Sequence, residues 1–135
     1  MLRNAFKIIC FVLVLAAFSG CSNNQEASIV GVWERTQMDK LPGEYPKIYW
    51  EFTGDNDIIR YQVTELEKEL RSVGRWGLNK RNRLNISKFD VGFNGDWEIV
   101  TFKNDVLRMV LKVYTEDEQP AGQVLVEFVR VADAN

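Results

Sequence analysis

From Ile29 onward, no segment sustains the 3.6-residue apolar period of an amphipathic helix. Instead, short runs rich in β-branched and aromatic residues alternate with turn clusters roughly every 8 to 14 residues. A chain patterned this way folds as an antiparallel meander, because only a two-residue period puts its apolar side chains on one face. The runs predict strands over about 30–37, 47–53, 58–65, 70–78, 83–88, 97–103, 106–114 and 123–131. Connections such as "GDND" at 54–57, "NKRN" at 79–82 and "ND" at 104–105 are turn-forming, and the last is short enough for a tight hairpin. "TELEKELRS" at 64–72 reads either as a helical turn or as a hairpin end.

Alternation gives an expected apolar face of Ile48, Trp50 and Phe52, then Ile59, Tyr61 and Val63, then Leu84 and Ile86, then Leu107, Met109, Leu111 and Val113. Eight strands with one apolar face can hide it by closing on themselves, which also removes sticky edges. The expected fold class is therefore all-β, a single antiparallel eight-stranded up-and-down barrel over residues 29–135. Once closed, the last strand has two possible registers. Either Val124, Val126 and Phe128 point inward, leaving Leu125, Val129 and Val131 outside beside Val106 and Val110, or Glu127 points inward.

The segment before the barrel has a different character. "MLRNAFK" carries Arg3 and Lys7 with no acid, and an eleven-residue apolar run, Ile8 to Phe18, follows. That run is too short for a bilayer core, which takes about 20 residues, so it reads as an export signal. In "VLVLAAFSGCSNN" the small residues Ser19 and Gly20 directly precede Cys21. This resembles the lipobox of bacterial lipoproteins, with Phe18 standing where leucine is usual. The resemblance implies a signal peptide over 1–20, Gly20 as the last residue removed, Cys21 as the lipidated residue, and residues 21–28 as a lipidated flexible tether. Its thiolate would form the thioether to diacylglycerol, and an added N-acyl chain would complete a firm anchor, since each buried CH₂ contributes about 0.8 kcal/mol. Ser22 follows the cysteine instead of aspartate, which by the same resemblance implies the outer membrane of the cell envelope.

Removal of residues 1–20 leaves 15 of the 17 Lys+Arg against 19 Asp+Glu, a net charge near −4 that argues against non-specific nucleic-acid binding. Cys10 leaves with the signal and Cys21 is consumed by lipid, so no disulfide is expected. There is no histidine, which excludes imidazole bases and histidine metal ligands. The carboxylates lie mostly in turns, Asp55 with Asp57 and Glu116 to Glu118, and a tight turn seldom supplies the six oxygens that calcium needs. No metal, cofactor or enzymatic activity is expected.

Within the barrel region, "VGVWERT", "IYWEFTGDND", "GRWGLNKRNRLNIS", "WEIVTFKNDVLRMVL" and "VEFVRV" together resemble bacterial lipocalin-like domains of the calycin type. That resemblance implies that Gly31 and Trp33 form the Gly-x-Trp of the first strand, with the indole across the barrel bottom, and that Arg130 covers it. A guanidinium on an indole face is worth roughly 0.5 to 2 kcal/mol. It also implies a small apolar ligand, for which Trp50, Tyr61 and Trp76 are the candidate contacts at a barrel mouth. An eight-stranded barrel is only just wide enough for one small ligand, so the same rings also suit a packed core. The rival expectation is a non-enzymatic interaction module, an envelope scaffold or inhibitor, that meets a protein partner through the outer face of the last two strands. A basic group, Arg71, Arg75, Lys80, Arg81 and Arg83 around Trp76, is a further candidate surface for an acidic partner or lipid phosphates.

Overall fold

The computed structural model describes residues 28–37, 41, 44–79 and 82–132. The signal segment, Cys21, most of the tether, Lys80 and Arg81 lie outside the described residues. Eight strands run β1 (Gly31–Arg35), β2 (Lys47–Phe52), β3 (Asp57–Val63), β4 (Lys68–Asn79), β5 (Arg83–Ser87), β6 (Gly95–Lys103), β7 (Val106–Tyr114) and β8 (Pro120–Arg130). Each pairs antiparallel with the next, and β8 pairs back onto β1, closing an up-and-down barrel. The expected fold class is the one observed.

The turns obey their sequences. Asn104 and Asp105 both take positive φ, 53° and 60°, the left-handed conformation that a two-residue primed hairpin requires and that Asn and Asp tolerate. "TELEKELRS" is a hairpin end: Thr64 N–H donates to the Glu67 carbonyl at 2.9 Å, and β4 starts at Lys68. With the β2–β3 and β6–β7 turns, the chain's approach at Ser28 and its exit after Arg130, one end of the barrel is the base. The β1–β2, β3–β4, β5–β6 and β7–β8 connections form the upper end.

Trp33, Trp50, Trp97, Phe52 and Phe128 are wholly buried in the interior, with Leu84, Ile86, Leu107 and Met109. On β8 the first register holds: Val126 and Phe128 are buried, while Leu125 and Val129 are 50% and 46% exposed. The expected phase of β3 is corrected. Phe52 pairs with Ile58 and Trp50 with Arg60, so Ile58, Arg60 and Gln62 point inward, whereas Ile59, Tyr61 and Val63 point out. A one-residue slip turns every side chain to the other face. Here Ile58 and Ile59 made both phases apolar, and the turn decided: Thr53 N–H bonds the Asp57 carbonyl at 2.9 Å, which brings Phe52 opposite Ile58. Val113 is also corrected, since it reaches the upper rim and is exposed.

Candidate functional site

The base is sealed by the residues of the first and last strands. Trp33 pairs with Arg130 across β1–β8, and the guanidinium carbon stands 4.2 Å from the centre of the indole ring. Trp33 Nε1 donates to the Ile29 carbonyl at 2.9 Å. Arg130 donates to the carbonyls of Val30 (3.2 Å) and Ser28 and, through Nε, to Asp105 at 3.2 Å. Gly31 has φ 145°, and a Cβ there would lie 2.8 Å from Arg130 Nη1. The positive φ is what calls for glycine here, while the close atom is the tip of a side chain that can shift. A shallow cavity of about 200 Å³, lined in part by Trp33, Phe102 and Arg130, lies at this end.

The upper interior is different in kind. Trp50 on β2 is the hub of an aromatic cluster: Phe89 and Phe93 meet it edge-on with centroids at 5.2 and 5.3 Å, Phe128 lies at 4.8 Å and Trp97 at 6.3 Å. Phe89 and Phe93 belong to the β5–β6 connection, which folds down into the barrel. Phe89 rests on Gly74 of β4, where an added Cβ would approach Phe89 Cβ to 2.8 Å. The loop is held by its own side chain: Asn94 accepts from Phe89 N–H (2.8 Å) and donates to the Phe89 carbonyl (3.0 Å). Trp97 Nε1 adds a 2.8 Å bond to the Phe93 carbonyl.

Charged groups ring this cluster. Arg60 on β3 forms an ion pair with Asp90 of the loop, and the guanidiniums of Arg60 and Arg35 stand 5.6 and 5.8 Å from the centre of the Phe93 ring. Burial, and after it the charge of Arg60, lower the pKa of Arg35 from its usual value. Register places Trp50, Arg60 and Ser72 side by side across β2, β3 and β4, all facing inward. Two buried polar atoms in that row, Trp50 Nε1 and Ser72 Oγ, have no hydrogen-bond partner among the described residues.

Of the three sequence-predicted ligand contacts, only Trp50 stands in this upper interior. Trp76 is buried nearer the base, edge-on to Phe52 at 5.5 Å, with Nε1 donating to the Thr53 carbonyl at 3.2 Å. It fastens the β2–β3 turn. Tyr61 is on the outer face opposite Tyr49; it is 8% exposed, with Lys68 Nζ 4.0 Å from its ring centre. Tyr61 and Trp76 thus do not gather with Trp50, whereas Phe89 and Phe93 do, with Arg35 and Arg60 over the Phe93 ring. The signal for the loop was present in "SKFDVGFNGD", where two phenylalanines sit in a segment too rich in Gly, Asn and Asp to be a strand.

Of the basic group, Arg71, Arg75 and Arg83 lie among the described residues. Arg75 pairs with Asp57 and Arg71 with Glu69, Trp76 points inward, and Arg83 borders an outer groove of about 570 Å³ against β6 and β7. The apolar stripe on β7 and β8 is present, and the Arg108–Glu127 ion pair falls within it, between the Val106–Val129 row and the Val110–Leu125 row. Among the described residues no three acidic or cysteine side chains gather as a metal site, and no helix is long and apolar enough to cross a membrane. Comparison with known protein families and with curated proteins finds no match to this chain.

Proposed function

We propose that this chain is an envelope lipoprotein, held at the outer membrane by lipid on Cys21, whose barrel binds one small apolar ligand through its upper interior. The observation that carries the reading is the ring cluster around Trp50, roofed by a loop instead of by strands. Strand interiors are held by continuous ladders, whereas a loop held by side-chain contacts can yield to a ligand. The anchor rests on the N-terminal pattern of charge, apolar run, small residues and Cys21. The protein is read as non-enzymatic and without a cofactor.

A second reading is favoured by one specific observation. Val129 and Leu125 remain about half exposed in adjacent apolar rows of β7–β8, and such a stripe can mark a protein contact. In that case the barrel is a scaffold for an envelope partner. Native mass spectrometry of the protein extracted from its host membranes separates the two. A retained small molecule supports ligand carriage, and a stoichiometric protein without one supports the interaction module. An unmodified Cys21 on the membrane-bound protein would remove the anchor.

A further inference from the structure

In the upper interior, hydrogen-bonding capacity is left over among the described residues. Trp50 Nε1 and Ser72 Oγ both lack a partner among the described residues, and they flank Arg60 in one inward-facing row. Trp50 is wholly buried, so its idle donor carries the full cost of lost hydration unless something occupies it. Charge is also out of balance. Arg35 has no carboxylate partner among the described residues, and Arg60 has Asp90. Around the Phe93 ring, two guanidiniums thus stand with one paired acid, and Arg60 lies between the idle indole and hydroxyl, an arrangement suited to a second oxyanion.

The β5–β6 loop has the outline of what would fit there. Asp90 presents a carboxylate to Arg60 while Phe89 and Phe93, one on each side of it in sequence, bury rings against Trp50. The turn closes on itself through Asn94 and through Phe93 N–H to the Asp90 carbonyl at 3.0 Å. Positive φ at Lys88 (55°) and Gly95 (139°) brackets it.

We propose that this loop is an internal stand-in for the ligand, and that a carboxylate-headed apolar molecule binds by displacing it. The head takes the Arg60 guanidinium from Asp90 and engages Trp50 Nε1 and Ser72 Oγ, and the tail takes the place of Phe89 and Phe93. The inference rests on the ligand reading above and specifies the head group that the site selects.

The test uses the full chain in phosphatidylcholine nanodiscs, with empty nanodiscs as the blank, and compares octanoate with 1-octanol. The readouts are the affinity and the Trp50 indole N–H resonance, assigned by its loss in Trp50→Phe. Expected are saturable octanoate binding with a downfield Trp50 shift, tighter octanoate binding in Asp90→Asn, and, in Arg60→Gln, which also releases Asp90, a preference for octanoate over octanol at least about tenfold smaller than in the unaltered protein. Should Asp90→Asn fail to fold, Phe93→Leu loosens the same loop and carries the same expectation. Equal binding of the two probes, untouched by Arg60→Gln, overturns the head-group site and leaves an apolar-ligand barrel. Binding of neither probe, in any variant, overturns both.

Discussion

Gly31, Trp33 and Arg130 show how few residues are needed to cap a barrel. The indole fills the base, the guanidinium covers the indole and satisfies the carbonyls of Ser28 and Val30, and the glycine leaves it room. Trp33→Ala should destabilise by about 3 to 5 kcal/mol, as removal of a wholly buried aromatic does, and Arg130→Ala by less. In denaturant unfolding, a double-mutant cycle should return a coupling of about 0.5 to 2 kcal/mol; simple additivity would mean that the stacking contributes nothing. Gly31→Ala, forced into a left-handed φ against Arg130, should cost about 1 to 3 kcal/mol. This trio was legible in the sequence because its parts lie on the first and last strands in unambiguous phase. Tyr49 offers a different measurement. Burial, and then the charge of Glu34, push its phenol above the ordinary 10.0, so the folded state holds the proton more tightly than the unfolded one. Stability should be intact below about pH 10 and fall as pH rises through the higher folded value, and Tyr49→Phe should flatten that part of the profile.

At the level of elements, the strands were readable and one of their phases was not. Where polar and apolar residues alternate cleanly, as in "IYWEF" or "VLRMVL", the inward set follows from the sequence. On β3 two consecutive isoleucines satisfy either phase, and Arg60 looks wrong for an interior until Asp90 is seen opposite it. Asp90 comes from a loop 30 residues further along, a distance over which periodicity carries no information. The same applies to Trp50 and Phe89, whose contact depends on the loop entering the barrel. The loop's integrity can be tested directly. Asn94→Ala removes both side-chain bonds to Phe89, at a cost of about 1 to 3 kcal/mol. Its tryptophan emission should shift to the red as water reaches Trp50 and Trp97. An unchanged spectrum would show that ring packing alone holds the loop.

For the molecule as a whole, closure leaves no free strand edge, so a protein partner must be met by side chains and not by an added strand. The β7–β8 stripe is the face available for that, and its central Arg108–Glu127 pair would set register across an interface more than affinity. Val129→Asp should leave octanoate binding unchanged, and loss of a copurifying protein in that variant would identify the stripe as the contact. On the proposed lipoprotein reading, Cys21→Ala should move the protein from the membrane to the soluble envelope fraction, or leave it uncleaved, as read by fractionation and intact mass.

Closure also has a consequence in time. The bond from Arg130 to the Ser28 carbonyl spans 102 positions of sequence, so the seam joins the first strand made to the last. Until β8 is complete, β1 and β7 are both bare edges, and the upper and lower ends alike are open. A chain stopped short of Pro120 should therefore be recovered as aggregate instead of as a smaller soluble domain. Non-local pairing of this kind also closes slowly, so the chain passes through an interval in which its end strands are unpaired before the barrel locks.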